Sequence, residues 1–195
     1  MSQAELNLLI EQVKQCELCK PELAHGVNPV VQLHSTAKIL IAGQAPGLAV
    51  HQSGVPFDDA SGERLREWLG IDKAVFYDPK QVAILPMGFC YPGKGKSGDL
   101  PPLKQCAKTW RALLLAELDQ IQLTIVIGKY AQDYHLDTAK QSLTETVKNW
   151  SDYPRSIMPL PHPSPRNNIW LAKNPWFAQQ LLPELKCRVN DALKD

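Results

Sequence analysis

Two short runs carry the side chains best suited to chemistry. His162-Pro163-Ser164-Pro165-Arg166-Asn167 follows the proline-bounded apolar run Ile157-Met158-Pro159-Leu160-Pro161 and sets an imidazole, a hydroxyl and a guanidinium beside a rigid turn. Simple packing has little use for such a run. Gly43-Gln44-Ala45-Pro46-Gly47 follows Lys38-Ile39-Leu40-Ile41-Ala42. Glycines at both ends of that turn let the backbone approach a planar ligand and expose its amides. Gln44 cannot act as a base, because an amide takes no proton near neutral pH. Downstream, Asp58 and Asp59 follow Phe57 and argue against its deep burial, since paired carboxylates are rarely placed in a dry core.

A third group is made of sulfur. Cys16-x-x-Cys19, Cys90 and Cys106 leave Cys187 over, and in a reducing compartment such a set reads as metal-binding rather than disulfide-forming. Four thiolates suit a tetrahedral metal or a cubane cluster. Between Cys90 and Cys106 lies Tyr91 to Pro102, rich in glycine and proline, with Lys94 and Lys96. Lysines on such a loop can follow phosphates without reading sequence, and the alternative is a mobile connection.

The elements that must position these groups alternate between two kinds. Short apolar runs bounded by turn residues place strands at about 38–43, 82–87, 123–128 and 156–161. Between them, residues 63–69 read as a helix ending at Gly70. Leu103 to Leu118 puts Leu103, Trp110, Leu114 and Leu118 on one stripe, and Trp176 to Val189 reads the same way. This alternation implies a three-layer α/β/α domain over residues 1–195 around a four-stranded, mainly parallel sheet. Sites in such folds form at the carboxyl ends of strands, where both opening motifs fall.

Together the two motifs resemble those of the uracil-DNA glycosylase superfamily. The resemblance continues through Gly54-Val55-Pro56-Phe57-Asp58-Asp59-Ala60-Ser61-Gly62 and the four cysteines, and is greatest to the iron-sulfur bacterial glycosylases. It implies an enzyme that flips a deaminated base, uracil or a related one, out of DNA and hydrolyses its N-glycosidic bond in base excision repair. It gives His162 the role of hydrogen-bonding the base oxygen on which charge develops. Phe57 stacks on the base, and Gly43, Gln44, Ala45 and Pro46 line its pocket. Pro163, Ser164 and Pro165 press on a phosphate, and Arg166 and Asn167 enter the gap that the base leaves. Cys16, Cys19, Cys90 and Cys106 match the spacing of a [4Fe-4S] set; structural zinc or free thiols are the alternatives.

The chain departs from its relatives at three places. Gln44 stands where the four-cysteine enzymes have glutamate, and Ala45 where others have aspartate. Asp59-Ala60-Ser61-Gly62 resembles a Gly-Asp-Ala-Ser-Gly motif with a catalytic aspartate, so Asp59 is the expected water-positioning group; the competing reading makes Asp59 or Ser61 the cap of a helix starting near Gly62. Pro86 replaces an asparagine that reads the uracil edge, which leaves the backbone of Met87 and Gly88 to read the base or points to another damaged base. These losses also allow a catalytically weak module that binds damaged DNA or a nucleotide. His25, His34, His51 and His135 are expected at the surface or in loops.

Composition sets the outer bounds. At 195 residues, with 44% hydrophobic content and a net charge of +1, the chain reads as one domain whose DNA contacts must be local. Met1 to Glu5 carry no basic leader, and no run approaches the roughly 18–20 apolar residues of a membrane span. A cytosolic monomer is the expectation.

Overall fold

The computed structural model describes residues 3–138 and 140–194. Met1 and Ser2, on which the leader reading partly rests, lie outside them.

In chain order the elements are α1 (Gln3–Lys14), β1 (Ile39–Ala42), α2 (Leu48–Ser53), α3 (Ala60–Leu69), α4 (Lys73–Phe76) and β2 (Val82–Ile84). There follow α5 (Lys104–Cys106), a π-helical turn (Ala107–Arg111), α6 (Ala112–Ala116), β3 (Leu123–Ile127), α7 (Gly128–Leu136), α8 (Leu143–Lys148), β4 (Ile157–Leu160) and α9 (Asn168–Lys173). A second π-helical turn (Phe177–Leu181) leads into α10 (Leu182–Leu193). The strands form one sheet in the order β2-β1-β3-β4, every pair parallel. The chain moves out from β1 in both directions, so the carboxyl ends of β1 and β3 mark a topological switch point.

Alternation along the strands makes the three layers. Ile39 and Ile41 of β1 and Val82 and Ile84 of β2 point to the face covered by α3 and α10, against Leu65, Trp68, Leu185 and Val189. Leu40, Ala83 and Leu85 point the other way, against Leu6 and Val13 of α1 and Leu114 of α6. Each fully buried leucine or isoleucine contributes roughly 1.5–3 kcal/mol from removal of apolar surface from water. The strands are therefore apolar on both sides, as a sheet covered on both faces requires.

The sequence reading of the sheet and its flanking helices holds, with shifts at the ends. The helix expected at 63–69 begins at Ala60 and ends at Gly70, whose φ of 71° makes it the left-handed cap. Two of the four histidines expected at the surface or in loops sit in helices instead, His51 buried and His135 half-buried. His51 is 4% exposed in α2 and accepts the Tyr91 N–H at 3.1 Å, and His135 in α7 packs on buried Arg111. Periodicity could not show this, because each is placed by partners far away in sequence.

Candidate functional site

A cleft of ≈ 270 Å³ opens at the carboxyl ends of β1, β2 and β4. It lies just below the roughly 300–1,000 Å³ of typical small-molecule sites, a size for one ring system rather than a polymer. Its lining includes Gly43 to Gly47, Phe57, Asp59, Pro86, Asp99, His162, Ser164 and Arg166. The two motifs are thus brought together, although β3 lies between the strands that carry them.

His162 leaves the end of β4 and is fixed from both sides. The Ser164 N–H donates to its Nδ1 at 3.1 Å, and Asn167 donates from Nδ2 to its carbonyl at 2.7 Å. Since Nδ1 accepts, the ring proton sits on Nε2, a donor. Burial pulls the His162 pKa below the ordinary value, against an opposing pull from Asp59 and Asp99. The ring is therefore a neutral donor at neutral pH. Asn167, half-buried, is tied to the turn in this way and does not line the cleft. Arg166 is exposed at the cleft, and beyond it Ile169 is 71% exposed.

Phe57 is held in an unusual backbone. Its φ is +55°, a left-handed value that costs a non-glycine residue of order 1 kcal/mol or more. Two contacts impose it. Tyr77 donates its hydroxyl to the Phe57 carbonyl at 3.2 Å, and Gly62 packs so closely that a Cβ there would fall 1.8 Å from that oxygen. The ring tip then reaches the floor, with Cζ 3.7 Å from where a Cβ on Gly43 would lie. Glycine at 43 leaves that face open.

Asp59 is the N-cap of α3: its Oδ1 accepts from Gly62 N–H at 2.9 Å. It also lines the cleft, so capping and chemistry fall on one carboxylate whose Oδ2 makes no hydrogen bond among the described residues. Arg64 of the same helix donates to the Ser164 carbonyl at 3.1 Å and so ties α3 to the second motif.

Met87 and Gly88 do not take the place expected of them. Their N–H groups donate to the carbonyls of Gly43 and Gln44, each at 2.9 Å, and are not free to read a base. Met87 packs with Ala42, Val126 and Ala131, while Gly88 faces the cysteines. Only Pro86 of that turn lines the cleft.

The glycine-rich loop folds back toward the opening. Gln44 donates from Nε2 to the Leu100 carbonyl at 3.3 Å, and Asp99 accepts from the Tyr91 hydroxyl at 3.3 Å. A Cβ on Gly98 would lie 3.0 Å from Nη1 of Arg166. Lys94 and Lys96 are exposed on this loop and do not line the cleft. Asp99 is a charged cleft residue that sequence reasoning missed, because nothing in its spacing marks it.

Cys16, Cys19, Cys90 and Cys106 line a second, smaller cavity, with Cys187 away on the exposed side of α10. Burial pushes the Cys19 and Cys90 thiols up to about 11, and the neighbouring cysteines add to it. Trp110 donates to the Cys16 sulfur at 3.3 Å. As placed, the sulfurs do not close into a metal-holding group among the described residues. The donor set nevertheless fits a thiophilic cation, since four thiols, Cys19 buried and the other three half-buried, with no carboxylate among the cavity's lining gain most from a positive charge that lets them ionise.

A model of the family described as "Uracil DNA glycosylase superfamily" matches residues 31–186. The chain belongs to that superfamily. No helix among the described residues is long and apolar enough to cross a membrane.

Proposed function

We infer that the chain is a monofunctional DNA glycosylase that takes a deaminated base, uracil or a related one, into the cleft and hydrolyses its N-glycosidic bond, leaving an abasic site. The observation that carries this reading is the His162 ring, neutral and protonated on Nε2 within a cleft that also holds Phe57. A base leaving as an anion needs a donor aimed at its oxygen, and a preorganised donor there lowers the barrier by several kcal/mol. Phe57 supplies the face on which an unstacked base rests.

Asp59 orients the attacking water through the oxygen that capping leaves over. Water oxygen bonds to the sugar carbon as the carbon–nitrogen bond breaks; the bond's electron pair leaves with the base, and the water proton passes to solvent. Arg166, Ser164, Pro165 and the loop lysines meet the DNA backbone, while Pro163, expected to press on a phosphate, is buried and sets the turn beneath them. Cys16, Cys19, Cys90 and Cys106 would hold a [4Fe-4S] cluster. When bound, that cluster supplies a cross-link between the amino-terminal segment and the loop, with no redox role in hydrolysis.

The test is base release from oligonucleotides carrying uracil, hypoxanthine or xanthine, single- and double-stranded. Release of at least one base with an intact abasic strand is expected. Binding without release from any of them would overturn the reading in favour of a damage-binding module.

A further inference from the structure

Arg111 is wholly buried and has no carboxylate partner among the described residues. Its Nη1 donates to the carbonyls of Leu85 and Pro86, each at 2.8 Å, and its Nη2 to Nε2 of His135 at 2.7 Å. The Tyr134 ring lies over it at 5.1 Å, and Nε has no hydrogen-bond partner among the described residues. His135 must be neutral to accept from a guanidinium, and burial, then Arg111, holds its pKa down to about 4.

This arrangement runs against the hydrophobic pattern of its own helix. Leu113 is left 51% exposed while a cation occupies the core beside Leu114, an inversion created where the π-helical turn ends. Such turns concentrate at functional positions. A buried charge without a counter-ion is costly, and a leucine at this place would pack more cheaply.

What Arg111 grips is the turn that walls the cleft. Leu85 and Pro86 give it their carbonyls from one side. On the other, the N–H groups of Leu85, Met87 and Gly88 are laced to Ile41, Gly43 and Gln44. The guanidinium, the turn and the first motif therefore form one continuous hydrogen-bonded strip, with the Pro86 ring facing the cleft.

We propose that Arg111, backed by His135, is a positioning residue that sets the separation of Pro86 from Gln44 and thereby selects which bases the cleft admits. This rests on the glycosylase reading. Loss of the grip leaves two carbonyls unsatisfied and lets the strip shift, and a shift of about 1 Å is enough to change reaction rates by about 10²-fold.

Arg111→Lys, Arg111→Met and His135→Leu are compared with the parent in single-turnover base release from uracil, hypoxanthine and xanthine DNA, with DNA affinity measured in parallel. The expected result is a change of about tenfold or more in the ratio of rates between bases, with DNA affinity unchanged. Faster amide hydrogen exchange at Met87 and Gly88 should accompany it. His135→Leu removes the acceptor that backs the guanidinium and so loosens its hold on the two carbonyls, and it serves if the Arg111 variants do not fold. His135→Gln, which retains an acceptor, should recover the parent ratio. An equal loss on all bases, or unchanged exchange at Met87 and Gly88, overturns the proposal. A parent that releases no base overturns the glycosylase reading instead, and exchange at those amides then decides whether Arg111 holds the turn.

Discussion

Ser164 donates its backbone N–H to Nδ1 of His162 at 3.1 Å, so the residue two positions on fixes which nitrogen of the ring carries the proton. That nitrogen, Nε2, is then a donor whatever base enters. His162→Ala should cut single-turnover base release by about 10²-fold or more, about 3 kcal/mol of transition-state stabilisation, with DNA binding retained. Nitrogen NMR of the ring should show the Nε2–H form at pH 7. A ring protonated on both nitrogens at that pH would remove the neutral-donor role.

Stability should rise with pH across the acid range. His135, near 4, and His162, also lowered, have folded pKa values below the ordinary 6.5. Between folded and unfolded values the unfolded chain binds more protons, so stability is lost as pH falls below about 6.5. Urea unfolding at pH 7 and pH 5 should differ by about 1–3 kcal/mol, allowing for partial exposure of both rings. His135→Gln should flatten the curve.

Asp59 has two jobs that substitution can separate. Asparagine caps a helix as well as aspartate does, whereas alanine loses the cap at a cost of about 1 kcal/mol. Asp59→Asn should therefore leave the melting temperature nearly unchanged yet slow base release about 10²-fold, and Asp59→Ala should lower both. Asp58→Asn should be mild. Parent-like release by Asp59→Asn on a base that the parent cleaves would leave Asp59 only its cap.

Lys94 and Lys96 stand exposed on the loop that leans toward Arg166. Neutralising both should weaken binding to all sequences alike and make the salt dependence shallower by up to about two units of slope. Affinity measured from low to high salt checks this. An unchanged slope would take the loop off the DNA surface.

The four-cysteine cavity should colour the protein. Purified without oxygen, it should be brown with about four iron atoms per chain, and Cys90→Ser should lose iron and stability together. Cys187, exposed on α10, should be replaceable without change in metal content. Colourless anaerobic protein with stoichiometric zinc would exclude the cluster.

Much of this was legible in the chain itself. The strands announced themselves because a sheet covered on both faces needs continuous apolar runs, and Gly43 and His162 fall at strand ends for that reason. Asp59 showed both its possible roles in sequence because helix capping is local, needing only the amides a few residues on. Long-range partnerships were invisible. That the amides of Met87 and Gly88 are consumed by Gly43 and Gln44, that Asp99 swings into the cleft through Tyr91, and that Arg111 is buried under the turn at Pro86 all depend on atoms far apart in sequence. Periodicity reports which face of an element is apolar, whereas a buried polar group is placed by whichever distant carbonyl or ring satisfies it, and only the folded chain brings those together.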